Sequence, residues 1–385
     1  MNLEISVIIP TLGERATLDA ALAALEKQFP SRGSLEVLVV DNSPQQRLFS
    51  GEKAGFPGFV RVLGCKKPGA AAARNFGSRE TEGEFLLFMD DDVVSLPGLI
   101  AEHLKCVKSG KSRLSMGKML PAESVKSSLF GEFAVFYGLL PDYKNILEGA
   151  ELSCEHFNSS SFMIRKEDFR LAGGFEEGFD CYGWEDVEFG SRLPEKGLRV
   201  FFNSAALAEH RVESNLLAYL RKMKLMGRSA VKLAGLHPEL AKRINILNYD
   251  ADRGLFRYNI KEIEKLDLGE SEALKAAREF AASIEKTGGA LLPLYNYGAA
   301  KEMLFECYAL LLRHEYLAGL KDALLALPGK ERKAVVDSLE NSEVSKQSSL
   351  REELEAYRKV LKHRDRHPLR FLLANIRGKL TRRKE

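Results

Sequence analysis

The stretch Glu84-Phe-Leu-Leu-Phe-Met-Asp-Asp-Asp-Val-Val94 decides how this chain is read. Five apolar residues without alternation predict a strand covered on both faces, and it runs directly into three adjacent aspartates. Upstream, Ile5-Ser-Val-Ile-Ile9 is a β-branched run stopped by Pro10. Leu18, Ala21, Leu22, Leu25 and Phe29 follow at the spacing of a core-facing helix. Leu35-Glu-Val-Leu-Val-Val40 predicts a second strand ending in the turn formers Asp41-Asn42-Ser43-Pro44. Phe59 to Leu63 predicts a third, and Gly69 to Gly77 a helix carrying Arg74 and Asn75. Downstream, a helix is expected from Pro97 to Lys108, with Pro97 suited to its first turn. Strands separated by helices imply βαβ crossovers and a mostly parallel sheet, so the fold class is α/β. Ligands of such sheets bind beyond the carboxyl ends of the strands, where Thr11, Asp41 and Asp90–Asp92 fall. A purely structural sheet has no need to gather like charges at one edge.

The length of 385 residues suggests two domains, or one large domain with an appendage. With 45% apolar and 29% charged residues the chain is neither disordered nor fibrous. Its 57 basic and 54 acidic side chains give a net charge of +3, which offers no case for nucleic acid as a partner. No apolar run approaches the ~20 residues of a membrane span. Five widely spaced cysteines without a CxxC pair point to a reducing compartment and away from a zinc ribbon. The N-terminus opens straight into a strand with no leader-like basic segment, so the chain reads as cytoplasmic.

Beyond about residue 215 strand-like runs stop. Leu216 to Leu236, Glu272 to Lys286 and Ala299 to Leu327 predict helices, Ser338 to Leu361 a charged helix, and Lys330 to Ser349 a linker. The expected division is therefore 1–215, a catalytic α/β domain; 216–330, a helical region packing on or extending it; and 331–385, a charged helix with a basic tail.

Asp90 and Asp92 are alternate residues of an extended segment and can share one hard cation, which would relieve their repulsion. A solvated turn is the plain alternative. A sharper rival is the nucleophile loop of haloacid-dehalogenase-like phosphatases, a strand followed by DxD, with Asp90 as nucleophile. A strand, a helix and two more strands ahead of that loop, where the phosphatases normally open their core domain with it, count against this. A dinucleotide-binding turn is weaker still, because Thr11-Leu-Gly-Glu-Arg-Ala16 lacks the repeated glycines.

A second constellation runs from Gly173-Gly174-Phe175 to Gly183-Trp184-Glu185-Asp186-Val-Glu188-Phe189, ending in Glu209-His210. Trp184, the only tryptophan, beside paired carboxylates suits a sugar platform; a core tryptophan next to capping carboxylates explains the same residues. His210 can ligate a metal as neutral imidazole or be an ordinary histidine.

Together these segments resemble the nucleotide-sugar glycosyltransferases of the GT-A fold, family 2 above all. Ile5-Ser-Val-Ile-Ile-Pro-Thr11 is similar to the opening strand, Val39-Val-Asp-Asn-Ser43 to the nucleoside-binding loop, and Pro68-Gly-Ala-Ala-Ala-Ala-Arg-Asn75 to the G-x-x-x-A-R-N helix start. Phe88-Met-Asp-Asp-Asp-Val93 resembles the DxD loop, and Gly183-Trp-Glu-Asp-Val-Glu-Phe189 the acceptor-side motif shared with galactosyltransferase-like modules. The resemblance spans residues 3–215. It implies a Rossmann-like, mostly parallel sheet flanked by helices, with an α-helical C-terminal region, and a metal-dependent inverting transfer of sugar from a nucleoside-diphosphate sugar, UDP-sugar favoured. Pro10, Thr11, Glu14, Asp41, Arg74, Asp90 and Asp91 would line the donor nucleotide site. Asp90, Asp92 and His210 would hold Mn²⁺ or Mg²⁺, Asp186 would be the base, and Glu185 with Trp184 would bind acceptor and sugar. An inactive scaffold that only binds nucleotide sugar is the alternative of another class, for which two intact constellations are superfluous. Pro194 departs from the pattern and is expected to kink or end the helix after Asp186.

From Pro368, Leu369, Leu372, Leu373, Ile376 and Leu380 fall on one helical face, and from Arg366 seven Lys or Arg accompany one Glu. That suits an anionic membrane surface bearing a lipid-linked or glycan acceptor, and a peripheral location at the cytoplasmic face; a terminal helix docked on its own chain or on a second copy in an oligomer fits equally.

Overall fold

The computed structural model describes residues 3–13, 16–28, 35–45, 48, 58–110, 112–136, 139–140, 143, 146–211, 215–244, 246, 263–264, 268, 272–286 and 297–340. Glu14 and the basic tail from Arg366 to Glu385 lie outside them.

The first half alternates β1 (Ile5–Thr11), α1 (Ala16–Glu26), β2 (Leu35–Asp41), β3 (Val60–Gly64), α2 (Ala70–Arg79), β4 (Phe85–Met89), β5 (Val93–Ser95), α3 (Leu99–Lys108) and β6 (Arg113–Pro121). Two short helices, α4 (Glu123–Lys126) and α5 (Leu129–Phe136), precede β7 (Ser161–Arg165), α6 (Lys166–Leu171), α7 (Glu185–Arg192) and β8 (Arg199–His210). The helices α8 (Leu216–Leu236), α9 (Pro238–Arg243), α10 (Glu272–Lys286), α11 (Tyr297–Ala326) and α12 (Gly329–Glu340) complete the described chain.

All eight strands form one sheet in the order β3-β2-β1-β4-β7-β6-β8-β5. The expected α/β architecture is present: β3, β2, β1 and β4 run parallel, and β1 and β2 are buried along their whole length, as strands covered on both faces must be. The sheet is more mixed than the helix–strand alternation predicts. Antiparallel β7 pairs with β4 and β6, and antiparallel β5 pairs with β8. β8 runs on to His210 through a bulge: Gly117 pairs with Asn203 but Lys118 with Leu207. The extra residues are folded by Asn203 Oδ1, which accepts from the amides of Ala205 and Ala206.

Pro194 ends α7 at Arg192 and starts a 3₁₀ turn at Pro194–Lys196, since a proline supplies no amide for the next helical bond. The linker expected over Lys330 to Ser349 is instead helical up to Glu340, with Val335, Val336 and Leu339 buried.

Two apolar clusters hold the elements. Around the sheet, Phe88 stacks on Phe162 with ring centroids 4.8 Å apart, and Phe175 packs on Phe189 at 4.5 Å, tying β4 and β7 to the segment that leads into α7. The second cluster lies among α8, α10 and α11 and draws in Phe130 and Phe133 of α5. Among the described residues no helix is long and apolar enough to cross a membrane.

Candidate active site

At the end of β1 the Thr11 hydroxyl donates to Asp91 Oδ2 at 2.6 Å, a charge-assisted bond inside the protein, with Asp91 5% exposed. Pro10 is buried and opposite Val40 of β2. Asp41, fully buried, folds the loop after its own strand: Oδ1 accepts from the Ser43 amide and hydroxyl at 2.9 and 2.6 Å, and Oδ2 from the Leu48 amide at 2.9 Å.

At the end of β4, Asp90 accepts from Arg74 Nη2 at 2.7 Å and from the Ser160 hydroxyl at 2.7 Å. Arg74, on α2, is buried beneath three carboxylates: its Nη1 lies 3.5 Å from Glu185 Oε1 and 4.0 Å from Asp186 Oδ1. Phe175 stands below the guanidinium, 5.5 Å from ring centroid to Cζ. Burial works against the Arg74 charge, but Asp90, Asp186 and Glu185 outweigh it and hold the group protonated well above the ordinary arginine value. The reciprocal effect falls on the acids. Burial, and then the neighbouring Asp186 charge, raise the Glu185 carboxyl well above the usual carboxylate range, with Arg74 opposing. Asp186 is raised in the same direction, first by burial, with Arg74 and Ser159 opposing. The Asp186 side chain keeps 25% of its surface exposed and Glu185 only 11%, so burial weighs more heavily on the Glu185 carboxylate.

Asp92 meets His210 through a pairing that the sequence did not reveal. Three-residue β5 sets Val93 opposite His210, and the Arg211 amide donates to the Asp92 carbonyl at 2.8 Å. Asp92 Oδ1 and His210 Nε2 are then 3.4 Å apart.

Trp184 caps α7, and its indole Nε1 donates to the Met226 carbonyl of α8 at 3.0 Å. Asn75, beside Arg74, fastens α2 to the segment ahead of α7: it donates to the Phe175 carbonyl at 2.8 Å and accepts from the Phe175 amide at 2.9 Å.

The structure thus brings Thr11 to Asp91, Arg74 to Asp90, Glu185 and Asp186, and Asp92 to His210. It does not gather Asp90, Asp92 and His210 about one point, and among the described residues no three His, Cys, Asp or Glu side chains converge as metal ligands. Asp90 is instead paired with Arg74. Sequence reasoning missed Ser159, whose amide donates to Asp186 Oδ2 at 3.1 Å, and Ser160; the polar run Asn158-Ser-Ser-Ser161 was the only signal for them.

Buried polar atoms in proteins are almost always hydrogen-bonded. Here Arg74 Nε, Asn158 Oδ1, Ser159 Oγ, Asp186 Oδ1 and His210 Nδ1 are buried without a hydrogen-bond partner among the described residues.

Residues 6–128 match the family model described as glycosyl transferase family 2, and residues 149–213 match that of the N-terminal domain of galactosyltransferase. Those two segments carry the sheet and the site described above, and over them the chain is similar to family 2 glycosyltransferases and galactosyltransferases. An uncharacterized glycosyltransferase of Bacillus subtilis (strain 168), YfnE, is 24% identical over 241 residues, 50% of this chain and 61% of the relative. An uncharacterized glycosyltransferase of Haemophilus influenzae is 34% identical over 104 residues, 27% of this chain and 34% of the relative. The chain thus spans between about a third and three-fifths of the length of these curated relatives. The crystal structure of S. aureus TarS 1–349 in complex with UDP aligns with a TM-score of 0.48 at 17% identity, covering 80% of this chain and 90% of that one.

Proposed function

We propose that the protein transfers a sugar from a nucleoside-diphosphate sugar, a UDP-sugar before others, to a hydroxyl of a glycan or lipid-linked acceptor, with inversion at the anomeric carbon. The observation that carries this reading is Asp186 at the start of α7, with Oδ2 fixed by the Ser159 amide and Oδ1 buried and unpartnered beside Arg74.

Such a transfer needs a base that is ionised but able to take a proton. Arg74 supplies the charge that keeps Asp186 ionised, and the Ser159 amide orients it, leaving Oδ1 for the acceptor hydroxyl. As the acceptor oxygen bonds to the anomeric carbon and the bond to the diphosphate breaks, the hydroxyl proton passes to Asp186. Glu185 hydrogen-bonds a sugar or acceptor hydroxyl, and Trp184 offers an apolar face. On the donor side Thr11, held by Asp91, and the loop shaped by Asp41 are assigned to the nucleotide, together with Pro10 and Glu14.

Asp92 and His210 suit a divalent cation. Adjacent ligands around an ion at ~2.1 Å stand ~3 Å apart, close to the 3.4 Å between Asp92 Oδ1 and His210 Nε2. Mn²⁺ or Mg²⁺ bound there supplies neutralisation of the departing nucleoside diphosphate, the imidazole favouring Mn²⁺. Asp90 is assigned to Arg74 rather than to the ion. The same engagement removes it as a free nucleophile, and the phosphatase-type reading is not carried forward.

Asp186→Asn tests the assignment. Donor binding should persist while transfer falls on the order of 10²-fold or more. Full transfer by the variant removes Asp186 from the mechanism, and hydrolysis of phosphomonoesters by the wild type overturns the reading as a whole.

A further inference from the structure

Trp184 adopts φ +71° and ψ −12°, the left-handed region that residues with a β-carbon seldom occupy. Such a conformation persists only where surrounding structure over-determines it. Here the surroundings belong to α8. Besides the Trp184 indole bond to Met226, the Ser229 hydroxyl donates to the Tyr182 carbonyl at 3.1 Å, and Cys181 Sγ lies 3.1 Å from Ser229 Oγ. Gly183, at φ +100°, is pressed so closely on α8 that a β-carbon would stand 2.9 Å from Met226 Cγ. Residues 181–184 are therefore fastened at successive points to one turn of α8, and Ser229 is only 3% exposed.

That turn of α8 is itself fixed by a close crossing with α11. A β-carbon on Gly227 would meet the Tyr316 carbonyl at 1.9 Å, and one on Gly319 the Lys224 carbonyl at 1.8 Å. Two glycines facing each other's backbones leave the helices no freedom to slide apart or together without losing contact. The Lys224–Asp322 ion pair at 3.0 Å spans the same crossing.

We infer that Ser229 and the Met226 carbonyl, set by the Gly227–Gly319 crossing, are positioning groups that hold Trp184 left-handed and thereby aim Glu185 and Asp186. The helical region beyond residue 215 is then part of the transfer machinery rather than an appendage. The inference rests on the proposed role of Asp186, while the fastening itself is observable independently, because Trp184 is the only tryptophan in the chain.

The test uses the full chain with Ser229→Ala and, separately, Gly319→Ala. Tryptophan emission and acrylamide quenching, UDP binding by calorimetry, kcat and KM for transfer, and the thermal unfolding midpoint are measured for each. Ser229→Ala should shift the emission to the red and increase quenching, keep UDP affinity and the melting midpoint, and lower kcat by ~10-fold, the scale of a small misplacement of reacting groups. Gly319→Ala, whose β-carbon would strike the Lys224 carbonyl, should shift the emission and lower kcat more strongly and also lower the melting midpoint; if it fails to fold, Ser229→Ala decides alone. Unchanged emission in Ser229→Ala, or a loss of transfer matched by an equal loss of UDP affinity, overturns the inference. A wild type that transfers nothing while Ser229→Ala still shifts the emission overturns the proposed function and leaves the fastening standing.

Discussion

Arg74 Nη2 stands 2.7 Å from Asp90 Oδ1, and this contact joins the middle of α2 to the end of β4 beneath Glu185 and Asp186 of α7. The guanidinium side chain is 4% exposed, so it lies where an uncompensated charge would be costly and where each compensating carboxylate depends on it in turn. One buried cation serves three acids, and the net negative charge left over is what a cationic or hydrogen-bond-donating ligand would meet.

Arg74→Ala should therefore destabilise the fold by about 3–5 kcal/mol, the range for stranding buried ionic partners. Adding Glu185→Gln should recover part of that loss, because one stranded acid disappears. Urea unfolding of the single and double variants measures it; additive losses would contradict the shared-cation arrangement.

Thr11→Val removes the donor to buried Asp91 while keeping the shape of the side chain. A loss of about 0.5–1.5 kcal/mol is expected for the lost hydrogen bond, accompanied by weaker UDP binding in calorimetry. Unaltered stability would mean that Asp91 finds another donor.

His103 is buried in the core between Ser115 Oγ at 2.9 Å and Ser161 Oγ at 3.1 Å, and burial pulls its imidazole down to about 3. The unfolded chain takes up a proton below about 6.5 that the folded chain refuses. Stability should thus fall as pH drops from about 6.5 towards 3, by roughly 2 kcal/mol between pH 7.5 and pH 5 from this residue. The difference in urea stability between wild type and His103→Gln, followed over that interval, isolates the contribution; a pH-independent difference would contradict it.

Raised Glu185 and Asp186 bear on rate as well. Arg74 opposes the rise of the Asp186 carboxyl, so Arg74→Gln should move the acid limb of kcat/KM to higher pH. An unmoved limb would assign it to another group.

Removal of divalent metal by EDTA should weaken UDP binding steeply, and Asp92→Asn or His210→Ala should reduce the dependence on Mn²⁺. Equal affinity with and without metal would leave Asp92 and His210 as an ordinary ion pair.

The chain should co-sediment with anionic vesicles, and deletion of 368–385 should abolish this, as the basic and leucine-rich pattern there implies. Unchanged sedimentation of the truncated chain would remove the membrane from its partners.

The strand ends were legible in the sequence because an unbroken apolar run followed by Thr11, Asp41 or Asp90 leaves little choice of reading. The helix over Leu216–Leu236 was legible for the same reason, from its periodicity. β5, β6 and β7 were not. β5 has three residues, and Arg113-Leu-Ser-Met-Gly-Lys-Met-Leu-Pro121 alternates poorly because one of its partners bulges. The residue types of the site could be named in advance, but not their partners. Arg74 and Glu185 are 111 positions apart, and only the folded sheet shows that Arg74 pairs with Asp90 and Glu185 together.

The bulge in β8 has a consequence for how such a site can change. Three consecutive residues, Glu209-His210-Arg211, hold an acid, an imidazole and a guanidinium, and the number of residues in the Ser204–Ala206 detour decides which of them faces Asp92. One residue fewer would deliver Arg211 to that place, an internal counter-ion in competition with any metal. One more would deliver Glu209, a second carboxylate with a greater appetite for a hard cation. The chemistry opposite Asp92 is in this sense a matter of counting: a change of length in a loop remote from the nucleotide could exchange one kind of donor site for another without any substitution at the site itself.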